Sequence, residues 1–139
     1  MIVSQPFARR AQLTHGAKSH IRRVAQHFAT RAMSMANTDQ IELLVHQTIQ
    51  HQLPAATLGE KSTAAIYLIV EGAAAQRKDL DNAIDVARAK LDTLSEMGET
   101  ESQRLQMAMD RLSKLMSTLS NLLKKASDTE ASIVQNMKC

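Results

Sequence analysis

The sequence predicts an all-α protein: a long antiparallel helical hairpin, coiled-coil-like, preceded by a short helix and a basic amphipathic N-terminal segment. Composition gives the first indication. The chain of 139 residues has no Trp, a single Tyr (Tyr67) and two Phe (Phe7 and Phe28), so a core must come from Leu, Ile, Val, Met and Ala. That palette suits helix-on-helix packing better than sheets, which favour β-branched and aromatic residues. Punctuation gives the second, because Pro6 and Pro54 are the only prolines and glycines are few. Periodicity gives the third. Leu105, Met109, Leu112, Met116, Leu119, Leu123, Ala126, Ile133 and Met137 alternate by three and four residues, which sets them on one helical face.

Residues 1–36 form a basic leader, amphipathic or disordered. Arg9, Arg10, Lys18, Arg22, Arg23 and Arg31 occur there with no acidic residue, so this segment is +6 while the other 11 basic and 14 acidic residues leave the body at −3, for a formal net charge of +3. Because the charge belongs to this segment and not to the body, no nucleic-acid partner is expected. Within 17–36, Ile21, Val24, Ala25, Phe28, Ala32 and Met35 share one face. Three readings stay open: a helix lying on a membrane surface, a mitochondrial transit peptide, or a leader ahead of a true start at Met33 or Met35 rather than Met1. The text from Met35 onward, MANTDQIELL, changes charge and character at once.

Residues 37–53 form the short helix. Asn37-Thr38-Asp39-Gln40 has capping-box spacing, and Pro54 stops the segment. Residues 54–61 read as a loop. The hairpin domain occupies 62–138. Its first arm starts with Ser62 as N-cap and keeps helical spacing through Ile66, Ile69, Val70, Ala73, Leu80, Ile84, Ala87, Leu91 and Leu94 to Met97. The run Ala64–Val70 admits a buried strand, but its place at the head of a helical pattern makes it helix. Gly98 is placed to end the arm in left-handed conformation, and Thr100 to Gln103 repeats the capping signature. The second arm runs from there to 138. Ser127-Asp128-Thr129-Glu130 has capping spacing again, yet the apolar phase continues unshifted, so one continuous helix is expected. Arms of roughly 35 residues give a hairpin about 50 Å long.

The second arm is too apolar for one facing helix. Leu105, Met109, Leu112, Leu115, Met116, Leu119, Leu122, Leu123, Ile133, Val134 and Met137 are the candidate interface residues. A fully buried Leu or Met contributes roughly 1.5–3 kcal/mol, so this surface must be covered by the short helix, by other copies, or by another helical protein. Reactive chemistry is not indicated. His46 and His51 are five apart, not the i,i+4 pair of a helical zinc site. Gly16, Gly59, Gly72 and Gly98 are isolated, so no phosphate-cradling loop exists. Cys139, the lone cysteine, cannot form an internal disulfide and is either an exposed thiol or an intermolecular link. Neither enzyme activity, cofactor nor metal is expected.

The tail, RLQMAMDRLSKLMSTLSNLLKKASDTEASIVQNMK, resembles the C-terminal helices of small secreted needle and filament subunits of bacterial type III secretion systems. Those commonly close on an apolar pair followed by Gln-Asn, as Ile133-Val134-Gln135-Asn136 does here. The resemblance implies a helical hairpin whose C-terminal helix assembles against copies of itself, with Ile133, Val134 and the Leu112–Leu123 stripe as contacts. Needle-type turns carry proline, whereas this one reads Met97-Gly98-Glu99-Thr100, so a filament-like or accessory subunit is implied. It also implies a secreted or cell-surface location; otherwise the protein is cytoplasmic, with mitochondrial import the further option.

Overall fold

The computed structural model describes residues 10–77, 81–95, 98–108 and 112–138, with the side chains of the last helix described through Lys125. These residues form helices α1 (His15–Met33), α2 (Thr38–Gln52), α3 (Leu58–Gln76), α4 (Asp81–Asp92), α5 (Glu99–Ala108) and α6 (Ser113–Lys138). The all-α class is as the sequence predicts. A long two-armed hairpin is not specifically shown: the stretch assigned to its arms comprises four helices, α3 to α6.

Helix α3 is the centre. Every residue from Ser62 to Ala73 is buried, as expected of a helix that is apolar all round. The ambiguous run Ala64–Val70 is therefore helical, and it lacks periodicity because it has no solvent face. Its N-cap is Thr57, one turn before Ser62. The Thr57 hydroxyl accepts from the Glu60 amide at 3.1 Å, and the Glu60 carboxylate accepts from the Thr57 amide at 3.0 Å. That reciprocal pair is a full capping box, so residues 58–61 are helix and not loop. Ser62 lies buried inside.

Helix α1 packs across α3 at close range. A Cβ added to Gly72 would lie 3.2 Å from Ala29 Cβ and 3.3 Å from both the Ala25 carbonyl oxygen and Phe28 Cδ2. A side chain at this position would need its neighbours on α1 to shift by a few tenths of an ångström, so glycine suits the close crossing. The segment expected to be a detached leader is thus part of the core: Ile21, Ala25, Phe28, Ala29 and Ala32 are all buried. The amphipathic spacing was legible, and its apolar face is covered by α3. Thr14 caps α1 by accepting from the Ala17 amide at 3.1 Å.

In α2, Asn37 is the N-cap as predicted, accepting from the Gln40 amide at 3.0 Å. Gln40 reaches back one residue further, accepting from the Ala36 amide at 2.8 Å. The helix stops before Pro54, as that residue requires.

The first arm breaks after Gln76, where Gln76-Arg77-Lys78-Asp79 offers nothing apolar to bury. Helix α4 then ends at Asp92, not at Met97. Its left-handed terminator is Leu94 (φ 56), and no described glycine has positive φ, so Gly98 does not play that part. The Leu94 amide bonds to Leu91 O at 3.2 Å and the Ser95 amide to Lys90 O at 2.9 Å, the two bonds of a Schellman ending. Helix α5 opens at Glu99, with Glu99 and Glu101 complementing the helix dipole. The predicted second arm is divided between α5 and α6, and α6 itself is unbroken through Ser127–Glu130, as its apolar phase indicates.

Helix α6 lies against α2 and α3. Lys114 Nζ donates to Met35 O at 2.6 Å, pinning the start of α6 to the segment just after α1. Lys125 Nζ contacts Glu42 Oε2 at 2.6 Å, tying it to α2. One hydrophobic cluster runs from Leu13 to Leu122.

Candidate functional site

The predicted interface residues fall into separate groups. Leu105, Leu112, Leu115, Leu119 and Leu122 are buried, and Met116 and Leu123 are partly buried against the same core. Their cover is this chain's own helices. Sequence spacing could not show this, because the covering surface comes from α1 and α2 as well as α3. Met109 lies outside the described residues, as do the side chains of Ile133, Val134 and Met137, whose backbone belongs to α6.

A polar seam joins α1, α3 and α4. Tyr67 Oη donates to Asp92 Oδ1 at 2.5 Å, and Lys18 Nζ meets the same oxygen at 2.6 Å. The Lys18 ammonium also stands 5.8 Å from the Tyr67 ring centroid, within cation–π range. Gln12 Nε2 donates to the Asp92 carbonyl at 2.9 Å. One turn of α3 further on, buried Glu71 takes a forked pair from Arg88, with Nη2 at 2.6 Å and Nε at 2.7 Å. Arg22 Nε stands 3.9 Å from Glu71 on the other side. Arg88 also reaches Asp85 at 3.0 Å.

The electrostatics follow from these distances. Burial, then the bond to Asp92, pushes the Tyr67 hydroxyl well above its ordinary range. Burial works to raise Asp92, but the bonds from Lys18 and Tyr67 outweigh it and hold the carboxyl below the usual carboxylate range. The bond to Glu71 is the main cause that keeps Arg88 firmly protonated. These bonds run between α4 and the two helices beside it, so the seam clamps α4 onto the bundle. By spacing alone Asp85, Arg88 and Asp92 cannot be told from a solvated helix face, because charges alternating in sign are its usual pattern. The signal that could have corrected this is Tyr67 and Glu71 inside an apolar helix, since buried polar groups require partners.

Of the five histidines, His46 and His51 lie on α2. His46 is half-buried, and burial, with Lys125 nearby, lowers its pKa against the pull of Glu42. His51 is exposed. An open groove of about 650 Å³ is lined by His46, Ile49, His51, Leu58 and Lys61, among others. A second of about 210 Å³, between α1 and α2, adjoins it through Gln47 and His51. Among the described residues no three metal-ligating side chains converge, and no helix is long and apolar enough to cross a membrane. No family model, curated protein or solved structure matches the chain.

Proposed function

We propose that the protein is a non-enzymatic helical packing module that associates, as copies of itself or with a partner's helix, through the end of α6. The observation that supports this is the extent of the α6 stripe. The bundle covers Leu112 to Leu122, while the same apolar spacing continues in sequence to Ile133, Val134 and Met137 along one unbroken helix. A helix of 26 residues is about 39 Å long, and leaving its last apolar residues in water would forfeit roughly 1.5–3 kcal/mol apiece.

The type III filament resemblance favours self-assembly, since it rests on the Ile133-Val134-Gln135-Asn136 wording, and with it a secreted or cell-surface location. The bundle places α1 and α2 around the C-terminal helix, which makes an accessory or filament-capping subunit a better fit than a bare hairpin. The second reading is a helical adaptor or export chaperone. A membrane-surface role for residues 17–36 would require α1 to leave α3, because its apolar face is in the core.

Light scattering across a concentration series tests the proposal. Mass that grows with concentration, and that Ile133→Asp/Val134→Asp holds at the monomer, supports self-assembly. A monomer at every concentration, with no helical partner recovered by cross-linking at position 134, contradicts the use of this end.

A further inference from the structure

We infer that the two adjoining grooves along α2 form a docking surface for an acidic amphipathic segment of a partner protein. This goes beyond the proposed use of α6, because the surface is built from α1, α2 and the start of α3. In the smaller groove, buried Phe28 and Leu44 with half-buried Val24 make an apolar floor, and His27, Arg31 and His51 stand exposed around it. The larger groove repeats the arrangement, with Ile49 and Leu58 below and His46, His51 and Lys61 around them. Leu58 is 44% exposed and puts apolar surface beside the basic rim. Leu43, exposed at 58%, precedes His46 and Gln47 by one turn of α2 and extends the apolar strip.

Charge selects the occupant. Among the described residues that line the two grooves, the ionisable side chains are all basic: His27, Arg31, His46, His51 and Lys61. The two permanent cations are not neutralised. Among the described residues Arg31 makes no ion pair, and Lys61 Nζ bonds the neutral oxygens Gln50 Oε1 (2.7 Å) and Pro54 O (3.4 Å). An occupant with carboxylates along its edges and aliphatic side chains between them matches both features. The apolar floor argues against a phosphate chain, whose binding rests on a dense array of Lys and Arg contacts and on stacking aromatics.

The test uses the full chain and a fluorescein-labelled peptide of about four helical turns, with Leu on one face and Glu elsewhere, read by anisotropy at neutral pH. Its partner probe is a scrambled peptide of identical composition. The amphipathic peptide is expected to bind at least about tenfold tighter than the scrambled one. Arg31→Glu/Lys61→Glu and, separately, Leu58→Ser should each weaken it by about tenfold or more, while Arg31→Lys/Lys61→Arg retains affinity. Unchanged circular dichroism of each variant shows that the fold persists. Equal binding of the scrambled peptide, indifference to the rim reversal, or displacement by duplex DNA more effective than by the peptide would each overturn the inference. The Ile133→Asp/Val134→Asp variant should bind the peptide normally, so failure at one surface is distinguishable from failure at the other.

Discussion

Replacing Phe28 by Ala tests whether the basic N-terminal segment belongs to the core. Phe28 is 2% exposed, and its ring lies where α1 meets Gly72 of α3. Truncating a buried Phe to Ala removes its transfer free energy and leaves a cavity that a tight helix crossing cannot close, at a cost of about 3–5 kcal/mol. A residue on a detached leader would cost no more than about 0.5 kcal/mol. Total stabilities of small domains are about 5–15 kcal/mol, so the variant should keep only part of its stability. Urea unfolding followed by far-UV circular dichroism should show the midpoint falling by about 2 M, at a slope of about 2 kcal/mol per molar. Arg23→Ala, on the exposed side of the same helix, is the control and should move the midpoint little. If the two substitutions gave equal shifts, the packing of α1 on α3 would be wrong.

Further outcomes follow from the clamp, the α4 ending and the histidine. Arg88→Met strands Glu71, which is 6% exposed. The loss should be about 2 kcal/mol, below the 3–5 typical of a broken buried pair because Arg88 is itself 30% exposed and Arg22 stands 3.9 Å from the carboxylate, and Glu71→Met/Arg88→Met should recover most of it in the same urea assay. Leu94→Gly relieves a left-handed Leu at a cost in unfolded-state entropy, so a net gain of about 0.5–1 kcal/mol is expected; a loss of similar size would contradict the Schellman assignment. His46 has a lowered pKa in the fold, so below about pH 6.5 the unfolded chain binds the extra proton and stability falls as pH falls. The penalty is absent above that value and grows toward the folded value. His46→Gln should therefore flatten the urea midpoint between neutral and mildly acidic pH, and an unchanged slope would count against burial of the imidazole.

Much of this was legible in the residues, and the failures share a cause. Asn37, Pro54 and the amphipathic face of 17–36 act locally, so sequence spacing located them. The α3 cap was misplaced because Leu58-Gly59 reads as loop, although Thr57-x-x-Glu60 carries the full capping signature. The helix end at Leu94 was hidden because a non-glycine residue takes the left-handed position, supported by bonds to Leu91 and Lys90. The Tyr67–Asp92 bond and the Glu71–Arg88 pair join residues distant in sequence, which periodicity cannot pair. The grooves had no sequence signature at all, since His27, Arg31, His51 and Lys61 come together only when α1, α2 and α3 pack. The apolar stripe called for a cover, and from Leu112 to Leu122 this chain's own helices supply it, which spacing alone does not indicate.

Amide hydrogen exchange resolved along the chain, at low and high protein concentration, tests the account most directly. Amides of α1 from Ile21 to Ala32 should be protected to the same free energy as those of α3 at both concentrations, as one cooperative core requires. Protection over residues 126–138 should rise with concentration. Rapid exchange throughout α1, or identical exchange of 126–138 at the two concentrations with no partner present, would contradict the shared core in the first case and assembly of this chain through the end of α6 in the second.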